Sequence, residues 1–376
     1  MYISDILKRE NNNIDLLRLF TALMVMWSHG PALFQDTERY LNQANIIPQL
    51  TPVGVGLGYL GVAIFFFLSG LLVSNSLLTK KKVVPWAWAR IMRIMPAFLV
   101  TIVAGVFIIG PAFTTLPVGD YFRSGQTWRF FFRNLFLNIE YMLPGVWGDR
   151  IYGGFNGSAW SIPFEVGCYI FLVFSFVLCR RLNVSHWVFV AIALCAAFIP
   201  KEMLPSALGI GYTIIERGDI FCFVVGTLMG IYKDKIRIDK TVVTVLLLVC
   251  VLFWRCSNII YYLFPVSTAI ILLYATSLRP LVSLQLKHDI SYGVYLWHWP
   301  ILEILYTWLN GVNYWLFFIT SAVVVIAVAY ASARLVEEPC IRWGRQLGKK
   351  EVQFKDNSIV ILVLFVVATI IAKVCY

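Results

Sequence analysis

Two residues in the first apolar stretch have types and spacing suited to acid–base chemistry: Arg18 and His29. They are eleven residues apart. Eleven helical steps of about 100° make three turns plus about 20°, so the two share a helix face about 16 Å apart along the axis. Histidine is the side chain best suited to move a proton near neutral pH. Asp15 precedes Arg18 by three residues and is placed to hold the guanidinium in an intrahelical ion pair. Each residue alone has a plainer reading, a snorkelling arginine near a helix end and a hydrogen-bonded structural histidine. Their common face weighs against both.

Other candidates follow along the chain. Ser69 sits in the run Gly61-Val-Ala-Ile-Phe-Phe-Phe-Leu-Ser69-Gly70, where it either donates a hydrogen bond or packs as a small residue. Arg90 and Arg93 are three apart, hence on one helix face. Guanidinium groups suit phosphates, and ordinary positive-inside bias is the competing explanation. Glu165 falls one turn inside an apolar stretch that opens at Trp160, where a lone carboxylate is costly. Tyr169, four residues on, shares its face; Arg18 or His29 from another helix would serve equally as partner. Ser291-Tyr292-Gly-Val-Tyr295-Leu-Trp-His298-Trp-Pro300 sets a second histidine inside an apolar stretch, with Tyr295 on its face. His298 is as well placed to pack against the polar face of the first helix as to do chemistry.

The elements that must position these residues are membrane helices. Hydrophobic residues make up 60% of the 376 and charged residues 14%, with mean hydropathy +0.77, far from a soluble domain at about 25% charged. Eleven apolar stretches are expected to span a bilayer: 15–34, 58–78, 94–113, 159–178, 186–200, 218–231, 241–254, 258–277, 290–309, 314–333 and 358–375. In lipid the backbone must satisfy its own hydrogen bonds, so these are helices, and strand-length alternation is missing. The expected fold is an all-α, polytopic transmembrane helical bundle of about 10–11 spans. With the N-terminus inside, 21 of the 31 Lys and Arg residues fall in inner loops and nine in outer ones. Most of the net charge of +11 is thereby explained as orientation, without nucleic acid.

Two long outer loops, 35–57 and 114–157, interrupt the spans. The second mixes Arg123, Arg129 and Arg133 with many aromatics, which suggests a segment lying in the interface, either acceptor-facing or simply anchoring. The eight cysteines are scattered in apolar segments; no spacing suggests zinc or a disulfide framework. The first apolar run carries Arg18 and His29 and has no small-residue cleavage site, so it reads as a retained helix. No internal repeat is visible.

Taken in order, these motifs resemble the acyltransferase-3 family of integral membrane O-acyltransferases. Arg18 and His29 are similar to its R-x10-H signature, preceded by Ile14-Asp15-Leu-Leu. The Gly61–Gly70 run, Arg90-Ile-Met-Arg93-Ile-Met-Pro96, Trp160-Ser161 through Glu165, Ile290–Pro300 and Val336-Glu-Glu-Pro339 resemble five further family segments. Pro163 and Cys168 depart from the usual Trp–Glu element, and 358–375 lies beyond the usual ten-helix core. The resemblance runs from about residue 13 to 345. It defines a membrane-embedded domain over 1–345, followed over 346–376 by a cytoplasmic linker and an extra C-terminal transmembrane helix.

The resemblance implies transfer of an acyl group, commonly acetyl from acetyl-CoA, to a hydroxyl of a glycan such as O-antigen, capsule, exopolysaccharide or a lipid-linked sugar. Carried onto this chain, His29 is the catalytic base or acyl relay. Arg18 and Glu165 assist it, Arg18 by orienting the donor or stabilising charge. Arg90 and Arg93 bind coenzyme A phosphates, Ser69 sits with them on the donor, and Trp160, Tyr292 and His298 face the acceptor. The expected partners are an acyl-CoA donor, a glycan or lipid-linked sugar acceptor and membrane lipid, with no metal and no nucleic acid; a homo-oligomer is compatible. The expected place is the bacterial inner membrane, with the N-terminus cytoplasmic. A transporter or flippase with an intramembrane polar path is the competing class.

Overall fold

The structure is a computed structural model that describes residues 1–34, 56–80, 82–150, 152–185, 214–309 and 311–350. The expected spans at 186–200 and 358–375, most of the first outer loop, and the C-terminal segment beyond 350 lie outside the described residues.

The described residues form an all-α fold without strands. Its principal helices are α1 (Ile14–Leu33), α2 (Leu57–Lys80), α3 (Val83–Ala104), α4 (Gly125–Leu135), α5 (Ser161–Leu182) and α6 (Ile214–Ile231). They continue with α7 (Lys240–Leu252), α8 (Ser257–Thr276), α9 (Ser291–Trp308), α10 (Tyr314–Ser332) and α11 (Glu338–Lys350). Five stretches built on α2, α3, α5, α8 and α10 are long and apolar enough to cross a bilayer. The apolar part of α6 and α7 are shorter. α1 and α9, at 20 and 18 residues, are the helices that carry the ionisable side chains His29, His298 and Glu303. Such a chain is a polytopic membrane protein.

Two boundaries differ from those expected on hydropathy. α3 begins at Val83, eleven residues before the span expected from 94, and Arg90 and Arg93 lie within its first three turns, on a helix as their spacing implied. Likewise α10 runs on through a π-turn at Ala333–Glu337 into α11, which makes helix of most of the basic segment expected to be an inner loop. Both extensions are amphipathic, and they pack on each other: Gly344 lies against Met92 and the Trp88 carbonyl. Hydropathy marks where lipid begins, not where a helix does.

The chain divides into two compact units. The first holds the described residues of 1–25, 42–81 and 164–289. At its centre α2 and α6 meet backbone to backbone. A Cβ at Gly70 would lie 2.1 Å from the Phe223 carbonyl oxygen, and one at Gly226 would lie 2.0 Å from that of Phe67. Only glycine at both positions permits this crossing, the close approach that membrane helices use in place of a hydrophobic driving force.

The second unit holds the described residues of 26–41, 82–163 and 290–376. Its segment 114–157 contains α4, which buries Thr127, Phe130 and Asn134 along one face and is capped by Ser124. Arg133 donates to Glu140 at 3.1 Å, Arg129 lies 3.3 Å from the same carboxylate, and Arg123 lies 3.7 Å from Asp120. These three arginines thus have carboxylates within the segment. Tyr121 is fully buried here; burial pushes its phenol up to about 12.

Helix-interior prolines recur, and each of three frees a carbonyl that a side chain then satisfies. Pro265 removes the bond to Tyr261, whose carbonyl accepts from Tyr59 at 3.4 Å. Pro111 follows the π-turn at Gly105–Ile109, and the Val106 carbonyl, five residues before it, accepts from Tyr121 at 3.1 Å. Pro300 removes the bond to Leu296, whose carbonyl accepts from the Asn156 amide at 2.8 Å. The third of these shapes the candidate active site.

Candidate active site

Within the second unit, α1 and α9 bring two histidines together. His29 lies one turn before the end of α1, between aromatic contacts of Trp27 with Trp315 and Phe318 and close packing of Gly30 on Tyr314 and Phe318. Its Nδ1 is 3.0 Å from Nε2 of His298, with the rings nearly parallel at 6°. The edge of Trp299 meets His29 at 4.9 Å between centroids. His298 is completely buried, and its Nδ1 lies 3.1 Å from the Val294 carbonyl oxygen.

The segment 154–161 clamps α9 around this pair. The Asn156 amide caps Leu296, and the Asn156 side-chain oxygen accepts from Ser158 Oγ at 2.6 Å. The Tyr295 hydroxyl donates to the Ser158 carbonyl at 2.6 Å and shares a hydrogen bond with Ser161, also at 2.6 Å. Trp299 donates to Gly154 at 3.1 Å, and Gly157 lies under its ring where a Cβ would clash. Trp160 ends a 3-10 turn, Gly157–Trp160, in the same segment. A segment polar enough to be a loop is thereby fixed to the helix that carries His298.

Further along α9, Glu303 is fully buried and paired with Arg150. Arg150 also donates to the Glu303 carbonyl at 3.0 Å and to Thr307, and stands over the Tyr306 ring at 4.8 Å. Toward the other end of α9, the Tyr292 hydroxyl donates to the Ile94 carbonyl of α3 at 3.0 Å, one residue from Arg93. Tyr292 precedes His298 by six residues, about 9 Å along the helix.

The first unit holds the remaining candidates. Arg18 is paired with Asp289, and Asp15 lies 3.9 Å from Arg9. Ser69 donates to Glu165 at 2.6 Å, Tyr169 donates to the same oxygen, and the two hydroxyls are 2.7 Å apart. Of the partners the sequence left open for Glu165, the structure gives Tyr169 and adds Ser69.

Sequence reasoning passed over Asp289, Asn156, Arg150 and Glu303. Glu303 and the buried Asp219 could have been found by the rule that flagged His29, since each is ionisable within an apolar helix. Asn156 and Asp289 carry no such signal, because each lies outside the apolar runs. Among the described residues no group of three or more His, Cys, Asp or Glu is arranged to hold a metal ion.

The described residues form a membrane helical fold with a hydrogen-bonded histidine pair in its second unit. The family model described as an acyltransferase domain matches residues 11–334, and the chain belongs to that family, acyltransferase-3. It is similar to an O-acetyl transferase of Shigella phage Sf6, at 26% identity over 340 residues, covering 88% of this chain and 96% of the relative. It is also similar to nodulation protein 10 of Rhizobium leguminosarum bv. viciae, at 24% identity over 358 residues, covering 88% and 93%. A shorter match links it to the acyltransferase MdmB of Streptomyces mycarofaciens, at 31% identity over 157 residues, 40% of this chain and 38% of the relative. No solved structure matches the chain. The protein is a membrane O-acyltransferase, and the transporter class is set aside by this membership.

Proposed function

We propose that the protein transfers an acetyl group from cytoplasmic acetyl-CoA to a hydroxyl of an envelope or secreted glycan, with His29 as the base. The observation that carries this reading is the pairing of His29 with the buried His298 at 3.0 Å, in a helix bundle where ionisable groups are costly. His29 takes the proton of the acceptor hydroxyl as its oxygen bonds to the thioester carbonyl carbon. The carbon–sulfur bond then breaks, and the departing thiolate takes the proton back from His29. The products are the O-acetyl ester and free coenzyme A.

Arg90 and Arg93 hold the donor's phosphates, supported by the Tyr292–Ile94 bond that ties their helix to α9. Glu165 keeps Ser69 and Tyr169 in one hydrogen-bonded group, and Ser69 is the member assigned to the donor. Arg18, held by Asp289, stabilises charge on the donor. Trp160 offers the acceptor sugar an aromatic face. The name of the phage relative supports acetyl as the group moved, and the excess of basic residues in inner loops supports an inner-membrane protein with a cytoplasmic N-terminus.

The test is to incubate membranes containing the protein with acetyl-labelled acetyl-CoA and to recover surface and lipid-linked glycans. The expected result is label in base-labile ester on the glycan fraction. Labelled free acetate without glycan ester would refute the proposed acceptor class.

A further inference from the structure

We infer that His298 is a positioning residue that fixes the tautomer of His29 and so decides which ring nitrogen is the base; this rests on the reading of His29 given above. Each atom along the line from α9 to α1 has a restricted role. The Val294 carbonyl oxygen only accepts, so the proton on His298 is on Nδ1, 3.1 Å away. In the neutral ring, Nε2 of His298 is then an acceptor. It lies 3.0 Å from Nδ1 of His29, so Nδ1 of His29 carries its proton and donates. The lone pair of His29 is therefore on Nε2, the nitrogen on the far side of the ring from His298. The carbonyl of one turn of α9 thus sets the protonation of a ring on a different helix.

The geometry favours a positioning role over a direct one. His298 has no exposed surface, whereas His29 is half-buried. The clamp of Asn156, Ser158 and Ser161 on α9 holds Tyr295 and Leu296, which precede His298 on its own helix. The nearly parallel rings keep both nitrogens in register for a hydrogen bond. When His29 takes a proton on Nε2 during transfer, its Nδ1–H remains bonded to the His298 lone pair. The charge that forms on His29 therefore meets an acceptor already in place.

Ring-nitrogen NMR tests this independently of activity. The chain has four histidines, so each signal can be assigned by single substitution in protein labelled with 15N-histidine and held in bilayers. The expected wild-type spectrum shows His29 protonated at Nδ1. His298→Phe keeps a ring but no acceptor, and is expected to release His29 toward the Nε2–H form. Its kcat should fall about 100-fold or more with the KM for acetyl-CoA unchanged, the scale of a general-base contribution. His298→Gln, whose amide oxygen accepts from Nδ1–H, should restore the Nδ1–H form and most of the rate. Nε2–H on His29 in the wild type would overturn the inference, as would a wild-type kcat in His298→Phe or a rate loss with the tautomer unchanged. Failure of the base assignment itself would show differently, as full activity in His29→Ala.

Discussion

Arg150 and Glu303 offer a stability prediction whose size follows from burial. The Glu303 side chain is 0% exposed and that of Arg150 is 10% exposed. Arg150→Ala removes the charge partner, the donor to the Glu303 carbonyl, the donor to Thr307 and the cation over Tyr306. What remains is a carboxylate in an apolar helix with no compensating charge, a change that costs about 3–5 kcal/mol. At roughly 2 °C per kcal/mol, the apparent Tm should fall by about 6–10 °C. The assay is thermal loss of helical circular dichroism in detergent, with wild type and variants scanned at one rate. Adding Glu303→Gln to Arg150→Ala removes the stranded charge and should return more than half of the loss. A drop under about 1 °C in the single variant, or a further drop in the double, would mean that the cost is not desolvation of a stranded charge.

Other changes follow from the same contacts. Asn156→Ala leaves the carbonyl freed by Pro300 buried without its donor, which should cost about 1–3 kcal/mol; an unchanged melting temperature would count against the capping role. Gly70→Val or Gly226→Val drives a side chain into the facing backbone of α2 and α6, and folded yield from membranes should collapse in both, while Gly119→Ala, at an open position, should express normally. Arg90→Ala with Arg93→Ala should raise the KM for acetyl-CoA at least tenfold with less change in kcat, measured by initial rates of label transfer; an unchanged KM would remove the donor-docking assignment.

Legibility in the sequence tracked cost in lipid. Apolar length exposed the helices, and the expense of ionisable groups in that setting singled out His29, Glu165 and His298 from sequence alone. Helical phase put Tyr169 beside Glu165, and the structure gives that contact. Phase also put Asp15 on the face of Arg18, and the structure adds Asp289 from a distant part of the chain. An i, i+3 rule sees only neighbours on one helix, so a partner brought by tertiary packing was beyond its reach. The 154–161 clamp was hidden for a related reason. Its meaning depends on Pro300, far along the chain, freeing a carbonyl that Asn156 can reach. The extensions of α3 and α11 escaped because their polar faces resemble loops by hydropathy while their amphipathic spacing is helical.

The role of His29 as the base for acyl transfer is decided by the transfer rate of His29→Ala and His29→Gln per folded protein, with acetyl-labelled acetyl-CoA as donor. Both variants should lose labelled glycan ester by about 100-fold or more, with insertion and melting temperature close to wild type. Transfer at the wild-type rate in either variant would contradict that role.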